Sequence, residues 1–157
     1  GIRRLLVEQE GRILDALAGT FKTESRIVVD PTRSFTSHGT TTASWILGKR
    51  FVKVESSIGG DNELKGESLT IYGYDTRTHK YTVLALDTFG TYWISAEGDY
   101  DKDARELRLS GSVTEEGQTI KYRWTVKLTD AGNTQTVSIN VQDDTWMKVT
   151  EIVNTKP

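Results

Sequence analysis

The chain has no cysteine, one methionine, two prolines and two histidines among its 157 residues. Without cysteine there can be no disulfide, thiolate metal ligand or cysteine nucleophile, while either redox compartment tolerates the absence. The two prolines, Pro31 and Pro157, leave the body of the chain free of residues that cannot donate to a β-ladder. No apolar run approaches the roughly 20 residues that a membrane-crossing helix needs. Neither sign of charge dominates: 20 Lys and Arg stand against 22 Asp and Glu, a net charge of -2. The two signs are mixed along the chain, so no extended basic face exists to neutralise phosphates, and nucleic acid is not an expected partner. Signature motifs are missing as well. There is no Gly-x-Ser-x-Gly elbow, phosphate-binding P-loop, dinucleotide fingerprint or calcium loop, and Gly59-Gly60 lacks the following helix and lysine that phosphates would require.

What is present is an ordinary globular composition, 36% hydrophobic and 27% charged. A chain of this length suits one domain, here residues 1–157, and can bury about two thirds of the surface its unfolded form exposes. It begins at Gly1 rather than Met, so a soluble cytoplasmic location and export with removal of a signal peptide both stay open, as does the oligomeric state.

Leu6, Ile13, Leu14 and Leu17 fall near one helical face, which predicts a helix over 1–18 ending at Gly19. Gly11 weakens its middle by about 1 kcal/mol relative to Ala. From Thr20 the pattern changes to short segments rich in Thr, Val, Ile, Tyr and Trp, separated by turn residues. The predicted strands are Thr20–Val29, Gly39–Leu47, Arg50–Ile58, Glu67–Tyr74, Lys80–Thr88, Tyr92–Tyr100, Glu106–Val113, Thr119–Leu128, Thr134–Gln142 and Thr145–Thr155, with Pro31 to His38 as a loop. Alternation is clearest where Ile120, Tyr122, Trp124, Val126 and Leu128 oppose Lys121, Arg123, Thr125 and Lys127. Short connections such as Gly59-Gly60-Asp61-Asn62, Glu116-Gly117 and Asp143-Asp144 favour antiparallel neighbours. About ten hairpin-linked strands would leave vulnerable edges in an open sheet. Closure over residues 20–156 into an antiparallel up-and-down barrel removes them, a two-sheet sandwich being the alternative.

Three stretches carry a resemblance: Leu17-Ala18-Gly19-Thr20-Phe21, the block from Ser44-Trp45 to Arg50-Phe51, and Gly73-Tyr74-Asp75 followed by Lys80-Tyr81. Together they resemble an uncharacterised, mainly bacterial family catalogued as a domain of unknown function, with weaker similarity reaching Lys148 to Ile152. The resemblance implies a lipocalin-like, or calycin-like, all-β barrel of about ten strands with a short N-terminal helix plugging one end, and no established activity. Gly19-Thr20-Phe21 is similar to the Gly-x-Trp entry of lipocalins, whose aromatic residue seals the barrel floor. Phe21 stands where lipocalins carry Trp, and Lys148 or Lys156 would be the basic residue covering it.

Trp45, Trp93, Trp124 and Trp146 all fall on predicted strands, and aromatic rings lining a barrel make a wall for an apolar ligand as readily as an ordinary core. Trp45, Tyr122 and Trp124 are taken as ligand-binding candidates. Asp87 is in phase with Tyr81, Val83 and Ala85, and Glu151 with Met147, Val149 and Val153, so either carboxylate is expected to face the interior. An inward carboxylate must be paired, hydrogen-bonded or protonated, with Arg50 and Arg123 as candidate partners. The bland reading is a structural ion pair or exposure at the barrel mouth. His38 and His79 lie in or near loops without metal-ligand spacing, so neither a metal nor a haem or other cofactor is implied. The leading expectation is a barrel that binds a small apolar or amphipathic molecule. Behind it stand an interaction module with a packed barrel and an enzyme using Asp87 or Glu151 as a general acid or base.

Overall fold

The alternating pattern closes on itself. In the computed structural model of the protein, which describes residues 11–157, ten strands follow a short helix: β1 (Gly19–Asp30), β2 (Arg33–Ile46), β3 (Phe51–Ile58), β4 (Gly66–Asp75), β5 (Lys80–Asp87), β6 (Ile94–Asp101), β7 (Glu106–Glu115), β8 (Gln118–Thr129), β9 (Gly132–Gln142) and β10 (Thr145–Thr155). Every strand runs antiparallel to its sequence neighbours, and β1 pairs with β10 from Lys22↔Thr155 to Ile27↔Thr150, which completes the barrel and leaves no sheet edge. This is the up-and-down topology expected. The inward positions of each strand meet in a core that includes Val52, Tyr72, Val83, Leu107, Leu109 and Val126, all buried.

The two ends of the barrel differ. At one end the 3-10 helix Gly11–Leu17 plugs the opening, packing against β3, β4 and β9. Its form follows from its sequence spacing. Gly11, Leu14 and Leu17 are the buried positions, three residues apart, and a helix of 3.0 residues per turn stacks them on a single face. Of the expected helix over 1–18, the described residues hold this 3-10 segment, and Leu6 lies outside them. Gly19 does not end the helix. It opens β1 in the positive-φ region (φ 132°), where a side chain would be strained, and so turns the chain from plug to wall. Phe21, two residues on, is buried on the inward face of β1.

Two strand boundaries also depart from expectation. Pro31 to His38 is mostly strand: β2 begins at Arg33, and Ser34 to His38 pair with Val28 to Glu24. Hydropathy misses this piece because its buried position is a serine, Ser37, while its only apolar residue, Phe35, is half-exposed at the rim. The hairpin turns instead over Pro31-Thr32, where the Asp30 carboxylate accepts hydrogen bonds from the Thr32 amide and hydroxyl and from Arg33. β6 begins at Ile94, so Trp93 belongs to the β5–β6 loop and is largely exposed.

Candidate functional site

At the end opposite the helix the barrel holds a cavity of about 360 Å³. Its wall comes from the ends of β1, β3, β4, β5 and β10. Thr23, Ser25, Ser56, Ser68 and Thr150 supply hydroxyls, and Ile27, Ile58, Leu64, Phe89 and Ile152 supply apolar surface. Glu67 and Asp87 stand at the rim, Asp87 in the inward phase of β5 and Glu67 on the outward phase of β4, where it also borders the outer groove. Phe35, Phe89, Tyr92 and Trp93, all at this end of the barrel, are exposed. A second, shallower groove of about 670 Å³ crosses the outer faces of β2 to β5 past Thr42, Lys53 and Glu55, where Lys53 pairs with Glu55 at 2.8 Å.

The cavity is partly roofed by the β3–β4 connection, residues 59–65. Buried Ser37 donates its hydroxyl to the Leu64 carbonyl (2.7 Å). Glu63 accepts from the Gly60 amide (2.8 Å), from the His38 amide (3.2 Å) and from His38 Nδ1 (2.6 Å). The hydrogen bond to Glu63 raises the pKa of His38 above its ordinary value, and the same contact lowers that of Glu63. His38 thus lies on β2 and anchors a loop, whereas His79 is a positive-φ turn residue between β4 and β5. Among the described residues no group of three His, Asp or Glu side chains is placed to hold a metal ion.

Beneath the cavity runs a chain of buried polar side chains. Ser56 contacts Thr41 (2.7 Å), Thr41 contacts Thr23 (2.6 Å), and Thr23 donates to Asn154 Oδ1 (2.8 Å). Asn154 Nδ2 and Gln135 Nε2 both donate to Asn133 Oδ1, at 3.1 and 3.3 Å. The Tyr72 hydroxyl donates to Gln135 Oε1 (2.8 Å) and accepts from Trp124 Nε1 (3.0 Å). Burial pushes the Tyr72 hydroxyl well above its usual pKa, so it remains a donor across the ordinary pH range. A network of this kind is tolerable in a low-dielectric interior because every member has a partner. Among the described residues no buried side-chain nitrogen or oxygen lacks one.

The residues singled out in the sequence are distributed differently from what was expected. Trp124 is buried in the core and ends the polar chain, remote from the cavity lining. Tyr122 is buried and donates to the Ser95 carbonyl, a reach across β7 made possible at Gly111, where a Cβ would lie 2.6 Å from the Tyr122 hydroxyl. Trp45 docks on the helix and donates its indole N–H to Asp15. Asp87 keeps the inward phase of β5 but sits exposed at the rim, accepting from the Phe89 amide (2.9 Å). Glu151 is the clearest correction. A register shift in β10 between Lys148 and Thr150 reverses the phase, so Thr150, Ile152 and Asn154 face inward while Glu151 faces out and pairs with Lys148 (2.7 Å). Neither expected arginine meets these acids: Arg50 donates to the carbonyls of Leu47 and Gly48, and Arg123 lies over the Trp146 ring at 3.7 Å.

The cavity's hydroxyls escaped the sequence reading because Ser and Thr on strands read as the wet face. The available signal was phase: counting back by twos from the apolar positions Val137 and Ile139 reaches Gln135 and Asn133 on the same inward face.

Fold and cavity together define a closed ten-stranded antiparallel barrel, plugged at one end by a helix and hollow at the other. Comparison with known families places it: the chain belongs to the family described as protein of unknown function (DUF1579), whose family model matches residues 7–156. No curated protein matches the chain.

Proposed function

We propose that the protein binds a small amphipathic molecule in its open-end cavity. The observation that carries this reading is the division of the cavity wall into an apolar part (Ile27, Ile58, Leu64, Phe89, Ile152) and a hydroxyl part (Thr23, Ser25, Ser56, Ser68, Thr150) within about 360 Å³. That volume lies at the lower end of small-molecule sites, which combine a mainly apolar lining with a few orienting polar groups. Ser25, on the inward face of β1, is one of the hydroxyl-bearing residues that line the cavity.

Of the residues singled out in the sequence, Asp87 belongs to this site directly. Trp124 relates to it through the polar chain, and Trp45, Tyr122 and Glu151 support the barrel instead. Native mass spectrometry of freshly purified protein should retain a bound compound that is lost on denaturation. The Thr150→Phe variant, whose ring would fill the cavity, should be folded by circular dichroism yet carry none. Equal retention by the variant would refute the reading.

A further inference from the structure

The polar chain under the cavity has a direction, and the direction bears on what the cavity takes. The indole N–H of Trp124 can donate but not accept, so the Tyr72 oxygen must accept from it. The Tyr72 proton then goes to Gln135 Oε1, which turns Gln135 Nε2 towards Asn133 Oδ1. With that oxygen facing both neighbours, Asn154 presents Nδ2 to it and Oδ1 to Thr23. Thr23 has one hydroxyl proton and spends it on Asn154, so Thr41 must donate to Thr23 and Ser56 to Thr41. At the end of the chain Ser56 has its proton committed inward and shows only lone pairs to the cavity it lines. The acidic residues at the rim, Glu67 and Asp87, are also acceptors, and among the described residues no lysine or arginine lines the cavity.

We infer that the cavity selects amphiphiles whose polar head donates hydrogen bonds, with a primary ammonium preferred, a hydroxyl accepted and a carboxylate rejected. The inference rests on the binding proposed above and specifies its ligand class. An ammonium head supplies three donors to Ser56 and the rim acids, whereas a carboxylate brings a like charge against Glu67 and Asp87 and offers no proton to Ser56.

The test is calorimetric titration of the whole chain with n-octylamine, 1-octanol and sodium octanoate at pH 7. Octylamine should bind most tightly and octanoate at least about tenfold more weakly. In the double variant Glu67→Gln, Asp87→Asn, which keeps oxygen acceptors at both sites, the advantage of octylamine over 1-octanol should fall severalfold. Octanoate binding as well as octylamine, or an unchanged amine preference in the double variant, would overturn the donor-head assignment and leave cavity binding standing. If none of the three binds, and Thr150→Phe also retains whatever the native protein carries, the cavity reading itself falls and this assignment with it.

Discussion

The plugged end and the hollow end of this barrel are built from the same ten strands, yet they use opposite chemistry. Towards the plugged end Val52, Tyr72, Leu107 and Val126 form one buried cluster with Leu14 and Leu17 of the helix, and the polar side chains beside them, Asn133, Gln135 and Asn154, are buried amides held by one another. At the hollow end the corresponding positions of β1, β3, β4 and β10 shrink to Ser25, Ser56, Ser68 and Thr150, and the space not filled by side chains becomes the cavity. Small residues at the inward positions of a barrel of fixed circumference leave volume that nothing else can reach. The comparison teaches that cavity and core are alternative fillings of one tube, joined by the polar chain from Ser56 to Trp124.

The sharpest way to break the comparison is to truncate one aromatic at each end. Phe21→Ala should cost about 3–5 kcal/mol in urea unfolding, because a buried ring leaves a void. Phe89→Ala, at an exposed rim position, should stay within about 0.5 kcal/mol. Similar losses at both ends would mean that the rim is as tightly packed as the plug.

Next in size is the polar chain itself. Thr23→Val removes the link between the hydroxyl half of the chain and the amide half, leaving Asn154 Oδ1 and the Thr41 proton without their partner. It should destabilise by about 1–3 kcal/mol. A neutral result would show that water replaces the lost hydroxyl, placing Thr23 functionally in the wet half.

A smaller effect is expected at the latch between plug and wall. Trp45→Phe keeps the ring and loses the indole hydrogen bond to Asp15, so thermal unfolding should report a loss of about 0.5–1.5 kcal/mol.

The smallest effect belongs to the loop over the cavity and is read through pH. The pKa of His38 is raised above its ordinary 6.5, so its contribution is complete below that value and fades as the pH climbs through the raised one. Glu63 is lowered from 4.5, so its contribution is complete above that value and fades on acidification. Amides of residues 59–65, corrected for intrinsic exchange, should be best protected between about pH 4.5 and 6.5. His38→Ala should abolish the loss on the alkaline side. Protection that rises steadily from pH 6 to 9 in the native protein would contradict this anchor.

Much of the wall was legible in residue order. Ile120 to Leu128 alternates cleanly because one face meets a core and the other meets water, and β8 has the expected phase, with Tyr122, Trp124, Val126 and Leu128 buried. β7, β9 and β10 follow with only small changes of boundary. The early part of β2 was hidden because strand signals rest on apolar residues, and there the buried side chain is the hydroxyl-bearing Ser37. The phase of Glu151 was hidden for a different reason. A one-residue shift in β10 turns every later side chain to the other face, and it arises from pairing with β9 rather than from any residue type within the strand.

The sequence by itself determined the antiparallel strands, their inward faces over most of the barrel and, in the spacing of Gly11, Leu14 and Leu17, the stripe that seals one end. These are local properties, set by side-chain alternation and turn chemistry between near neighbours. Tertiary structure decided the remainder: that β1 meets β10, that Thr23 reaches Asn154 across 131 positions, and that five separate Ser and Thr residues share one cavity. The reason is physical. A hydroxyl on a strand is equally at home in water and in a satisfied network, so its environment is settled only when closure of the barrel brings its partners within hydrogen-bonding distance.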